Sequence, residues 1–138
     1  MATEQLVKPA FFRPVEGFNR VRIMPSWKGV DELFYVQIYP LSGNRLPRFL
    51  VNVGVPNTVD GTVMSWSISD SWFSDIFTIA EMGHNFIDSE EGCDYAFTRV
   101  GTGSNTRYIG RTFVEPSPIY IDNWREKLYD LDALKLSM

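Results

Sequence analysis

The side chains that could do chemistry in this chain form one sparse group and one crowded group. The sparse group is the usual catalytic vocabulary. His84 is the single histidine and Cys93 the single cysteine. His84 follows Gly83 at the expected end of a helix and reads as a terminal cap or a surface residue. Cys93 lies among acids that would raise its pKa and blunt a thiolate. The run Asp88-Ser89-Glu90-Glu91-Gly92-Cys93-Asp94 lacks the spacing of a calcium loop and reads as a solvated turn. One cysteine excludes an internal disulfide framework and any multi-cysteine zinc or iron–sulfur site. Gly101-Thr102-Gly103 precedes an expected strand, not a helix, so it is a hairpin turn and not a phosphate cradle. The expectation is no enzyme, no metal and no cofactor.

The crowded group is basic and aromatic. Over the first 56 residues Phe11, Phe12, Arg13, Phe18, Arg20, Arg22, Trp27, Lys28, Tyr35, Tyr39, Arg45, Arg48 and Phe49 interleave. Cations that track phosphates, set among flat rings that receive unstacked bases, are what sequence-independent binding of unpaired nucleic acid requires. The net charge of −4 argues against a polyanion partner. Its distribution argues for one. Residues 1–56 carry seven Lys or Arg against four acids, and 57–98 carry eight acids and no base. Residues 99–114 carry Arg99, Arg107 and Arg111 and no acid. Two basic stretches separated by an acidic one can converge into a positive groove, and a polyanion feels that groove within a Debye length of ~8–10 Å.

Local patterns define the elements that would position these groups. Residues 1–18 read as an irregular arm broken by Pro9, Pro14 and Gly17. Residues 19–25 alternate, with Val21 and Ile23 on one face and Arg20 and Arg22 on the other. Residues 33–39 alternate again, with Phe34, Val36 and Ile38 facing inward and Tyr35, Gln37 and Tyr39 outward. Further extended segments are expected at 48–53 and 62–68, with turns at 40–47 and 55–61. A helix follows, capped by Ser69 or Ser71, with Asp70 and Asp75 near its positive end and Gly83 closing it. Its stripe of Trp72, Phe73, Ile76, Phe77 and Ala80 reads as core. Strands at 94–100 and 107–114 flank the glycine-rich turn at 101–106. A last helix is expected from Asp122 as N-cap, with Trp124, Leu128 and Leu131 inward.

Strands, one helix, then two strands predict a mainly β fold: a five-stranded OB-fold Greek-key barrel with one helix between strands 3 and 4 and a C-terminal helix. One strand-like segment within 46–68 is then surplus. An SH3-like barrel and a small β-sandwich are the alternatives, but neither requires the mid-chain helix. The expected parts are the arm (1–18), the OB-fold domain (19–118) and a C-terminal helix or tail (119–138). No apolar run approaches the ~20 residues of a membrane span, and the opening residues lack a signal-peptide core. On this frame Arg20, Arg22, Lys28, Arg45, Arg48, Arg99, Arg107 and Arg111 are expected to meet phosphates. Trp27, Tyr35, Tyr39 and Tyr108 are expected to stack on bases, whereas Phe34, Phe49, Phe97 and Phe113 read as core. The alternative is a carbohydrate- or protein-binding β-barrel, since aromatic platforms also suit sugars.

Three stretches carry a family likeness. The segment Gly17-Phe-Asn-Arg-Val-Arg-Ile-Met-Pro-Ser-Trp27 resembles the opening strand of single-stranded-DNA-binding proteins of tailed bacteriophages, the group related to the T-even phage helix-destabilising protein. The likeness resumes through residues 88–108, at Pro116-Ser-Pro-Ile119, and in the acidic-apolar stretch 129–134. It implies an OB-fold and sequence-independent binding of single-stranded DNA in phage replication and recombination. It also implies partner contacts through the C-terminal region and residence in the host bacterial cytoplasm, the protein being a monomer or weakly self-associating. The zinc subdomain of the T-even proteins has no counterpart, because residues 40–60 contain neither Cys nor His. Their long acidic tail has none before Met138 either.

Overall fold

The computed structural model describes residues 10–29, 31–39, 46–56, 62–81 and 85–137. The elements run β1 (Gly17–Ile23), β2 (Tyr35–Ile38), β3 (Arg48–Val55), β4 (Thr62–Ser69), α1 (Asp70–Glu81), β5 (Cys93–Val100), β6 (Arg107–Pro116), α2 (Trp124–Lys127) and α3 (Leu131–Leu136). A single turn of 3₁₀ helix, Gly103–Asn105, joins β5 to β6.

The pairing is antiparallel throughout the named strands. One edge of β3 carries β4 over its whole length, from Arg48 opposite Ser69 to Val55 opposite Thr62. Its other edge is shared, with β2 against Arg48–Val51 and the end of β1 against Val53 and Gly54. The start of β1 pairs instead with β5, and β5 with β6. Strand β1 therefore belongs to both halves of the molecule. Among the described residues β4 and β6 share no backbone ladder, so the six strands make an open sheet. The expectation of five strands is corrected to six. The two strand-like segments within 46–68 are β3 and β4, which pair as an antiparallel hairpin.

Both faces of the β2–β3 region are covered, and this decides where its side chains go. One face joins an aromatic core of Phe34, Trp66, Trp72, Phe73, Phe86, Tyr95 and Phe97. The opposite face puts Val36, Ile38 and Leu50 under Leu131 and Leu134 of α3. Val36 and Ile38 share a face as expected, but Phe34 joins Tyr35 in the aromatic core, while Gln37 and Tyr39 are exposed. Tyr35 and Phe49 point into the aromatic core, where Phe49 stacks on Phe73 of α1 with ring centres 4.1 Å apart. Such ring pairs contribute ~0.5–1.5 kcal/mol beyond the area they bury.

Helix α1 starts as its sequence predicts, with Ser69 Oγ accepting the Trp72 N–H at 3.4 Å. Gly83, its expected stop, and His84 lie outside the described residues. The C-terminal helix is corrected to two short ones. Leu128 is extended (ψ 136°), and Asp130, not Asp122, caps the longer piece by accepting the Ala133 N–H at 3.0 Å. Among the described residues no helix is long and apolar enough to cross a membrane.

Candidate nucleic-acid interface

The open seam between β4 and the β5–β6 hairpin is lined by the N-terminal arm. Ala10 and Phe12 pair with the free edge of β4 in parallel register: Ser65 N–H donates to Ala10 O at 2.9 Å and Phe12 N–H to Ser65 O at 2.8 Å. The next donor in that register would be Pro14, which has no N–H. The ladder ends there. Ser67 O instead accepts from Arg48 Nη2 at 3.0 Å, and Ser67 Oγ accepts from Arg48 Nε at 2.9 Å. Pro14 O turns to β5 and accepts from Arg99 Nη1 at 2.8 Å.

A groove of about 570 Å³ opens where the arm leaves the strand. The arm supplies Phe11, Phe12, Arg13 and Pro14; β3 and β4 supply Arg48, Trp66, Ser67 and Ser69; α1, β5 and β6 supply Trp72, Arg99 and Tyr108. Among the described residues no Asp or Glu lines it. Its floor is a run of touching rings. Phe12 meets Trp66 edge-on at 5.3 Å, Trp66 meets Trp72 at 5.2 Å, and Trp72 meets Tyr108 at 4.6 Å. Trp66 and Trp72 are nearly sealed, whereas Phe11 is 41% exposed and Tyr108 half-buried.

Ion pairing sorts the expected cations. Arg20 and Arg22 both hold Asp94, at 2.7 and 3.3 Å; Lys28 holds Asp132 at 2.7 Å; Arg111 holds Asp75 at 3.1 Å. Among the described residues no carboxylate pairs with Arg13, Arg48, Arg99 or Arg107. Three of those four line the groove, and Arg107 is exposed on β6 beside Tyr108. Arg99 Nε is buried with no hydrogen-bond partner. Its Nη1 is taken by Pro14 O, so the charge of Arg99 reaches the groove while its Nε does not.

Several expected contacts need correcting. Arg22 is 1% exposed. It does lie on the face opposite Val21 and Ile23, but the chain after β6 covers that face: Arg22 Nη2 donates to Ser117 O at 2.7 Å and to Asp88 O at 2.9 Å. It is an internal tie and no phosphate can reach it. Arg20 sits beside it on Asp94. Tyr35, expected on the exterior, lies 4.9 Å from the Phe73 ring and 5.1 Å from Phe34. Trp27 is half-buried against the cluster under α3. Tyr39 is exposed, its hydroxyl accepting from Gln37 Nε2 at 2.8 Å, but it does not line the groove. Arg111 lies over the Trp72 ring at 5.6 Å. Arg45 falls outside the described residues.

The groove therefore gathers Arg48, Arg99 and Tyr108 from the expected set. It adds Phe11, Phe12 and Arg13, which the arm's Phe-Phe-Arg-Pro run makes visible once the arm is given a wall to line. Trp72 is core, as its stripe predicts, and also part of the groove floor. Away from the groove, burial pushes the Cys93 thiol up, opposed by Arg22, and Asp94 adds to it. The acids expected to raise Cys93 are thus secondary to burial. Tyr120 is pushed up to about 12, first by burial and then by Asp94, which accepts its hydroxyl at 3.4 Å. No protein-family model matches the chain, and no curated protein matches it in sequence.

Proposed function

We propose that this chain binds single-stranded DNA without reading its sequence, through the groove at the open seam. The observation that carries the reading is a groove in which, among the described residues, no acid takes part and three arginines without carboxylate partners, Arg13, Arg48 and Arg99, converge on a floor of touching rings. The arginines take phosphates. Phe11 and Tyr108 receive bases, each worth ~1–3 kcal/mol when engaged. Arginines and ring faces hold phosphates and bases of any sequence, so selectivity rests on single-strandedness.

The strand order supports an OB-type arrangement with an added strand. Omitting β2, the order β4-β3-β1-β5-β6 holds, and α1 falls between the third and fourth of these along the chain. The likeness of residues 17–27 and 88–108 to phage single-stranded-DNA-binding proteins supports the same reading. The proposed setting is protection of exposed strands in phage DNA replication and recombination.

Titration with oligo-dT, followed by tryptophan fluorescence, tests this. Trp66 and Trp72 lie in the floor, so binding quenches them, and added salt restores the signal. No binding at low salt, or binding that salt does not weaken, contradicts the proposal.

A further inference from the structure

The chain has four tryptophans, and two of them lie away from the seam. Trp27 and Trp124 are both half-buried, and both line a separate cavity of about 300 Å³. It is bounded by the loop after β1, the turn at 85–89, and α2 with Leu128, and it shares no residue with the groove. That volume is at the small end of the range for small-molecule sites, ~300–1,000 Å³.

Both cations of this cavity are already engaged, one by a carboxylate and one by a ring. Lys28 Nζ lies 5.5 Å from the Trp27 ring centre and is paired with Asp132 at 2.7 Å. Arg125 lies 4.6 Å from the Trp124 ring centre. The carboxylate of Asp88 is pinned by the amides of Glu90 and Glu91, which both donate to Oδ2, at 3.0 and 2.7 Å. Its other oxygen is left as an acceptor. Asn85 adds an exposed amide that both donates and accepts, and Ser89 a hydroxyl. A polyanion gains little from Lys28, which Asp132 already holds, and Arg125 lies over the Trp124 ring. A neutral ring with an apolar face and several hydroxyls gains on both counts: its C–H face lies on indole, and its hydroxyls need donors and acceptors together.

We infer that the cavity between Trp27 and Trp124 is a second binding site, independent of the groove, for a neutral pyranose sugar. Trp124 supplies the platform, Trp27 a side wall, and Asn85 and Asp88 hold hydroxyls.

Saturation-transfer NMR on the full chain tests it, with D-glucose, D-galactose, D-mannose and N-acetyl-D-glucosamine each at tens of millimolar. The expected result is transfer to the ring protons of at least one sugar, equal at low and high salt. Affinity for it falls about tenfold in Trp124→Ala, the effect of ~1.4 kcal/mol. It falls also in Asn85→Ala, an exposed change that leaves the fold intact, and is unchanged in Arg48→Ala, which separates this site from the groove. No transfer from any of the four sugars overturns the inference. So does transfer that high salt abolishes, that oligo-dT displaces, or that survives both Trp124→Ala and Asn85→Ala undiminished.

Discussion

Arg99 on β5 holds the carbonyl of Pro14 at 2.8 Å, a contact between residues 85 apart in sequence. Through it the far side of the sheet fastens the N-terminal arm at the point where Pro14 ends the arm's ladder on β4. One side chain thus ties the arm to β5 and lines the groove. Substituting Arg99→Lys keeps the charge and loses the fork. The expected outcome is weaker oligonucleotide binding, by several-fold, with faster hydrogen exchange at the Phe12 and Ser65 amides that join arm to strand. Unchanged exchange would mean the arm does not depend on Arg99.

Arg22 and Asp94 make the opposite kind of pair, sealed at 1% and 0% exposure. Removing Arg22 leaves Asp94 with Arg20 alone and strips Asp88 O and Ser117 O of a donor, and breaking such a buried pair typically costs ~3–5 kcal/mol. Arg22→Ala is expected to lower stability in urea denaturation by that order. Arg20→Ala, whose side chain is 39% exposed, is expected to change stability little and oligonucleotide affinity hardly at all.

Tyr35 and Tyr39 sit two residues apart and should separate cleanly. Tyr35 packs among Phe34, Phe49, Phe73 and Phe77. Tyr35→Ala is expected to cost ~2–4 kcal/mol, near the range for large-to-small core changes. Tyr39→Ala, at an exposed position, is expected to leave the thermal midpoint almost unmoved. Calorimetry on the two variants decides it. Equal midpoints would return Tyr35 to the surface.

Tyr120 carries a pH signature. Its hydroxyl, held beside Asp94, is pushed up to about 12, against ~10 in the unfolded chain. The folded state keeps that proton when the unfolded state has lost it. Its contribution to stability is therefore complete below pH ~10 and fades as pH rises through about 12. Tyr120→Phe should flatten the alkaline fall in stability over that window. An ultraviolet titration should lose a tyrosine step near pH 12 in the same variant.

What the sequence made legible is what local rules govern. Period-two alternation in β1 places Arg20 and Arg22 opposite Val21 and Ile23, because successive side chains must point to opposite faces. The cap at Ser69 and the stripe through Trp72, Phe73 and Ile76 depend on neighbours within a few residues. The errors are all non-local. What covers Arg22 comes from Ser117, 95 residues away. Tyr35 was expected outward because one face of β2 was expected to be solvated, and nothing near it announces that Leu131 and Leu134 will cover the face behind. Asp122 is the cap its sequence suggests, but the extended Leu128 splits the helix and Asp130 caps the longer piece. Segment charge sums found the basic stretches, but Asp75, Asp94 and Asp132 neutralise four of their cations across the fold. Which arginines stay available is a property of the folded molecule alone.

The central claim is that the unpaired arginines of the groove, and not the paired ones elsewhere, meet the phosphates. Its most direct measurement is the slope of log affinity for oligo-dT against log salt, in the wild type, Arg48→Ala and Arg20→Ala. With three groove arginines engaged, single-strand counterion release predicts a wild-type slope of about −2. Arg48→Ala should make it shallower by ~0.7, and Arg20→Ala should leave it in place. A slope that Arg48→Ala does not change, or that Arg20→Ala changes as much, would contradict the account.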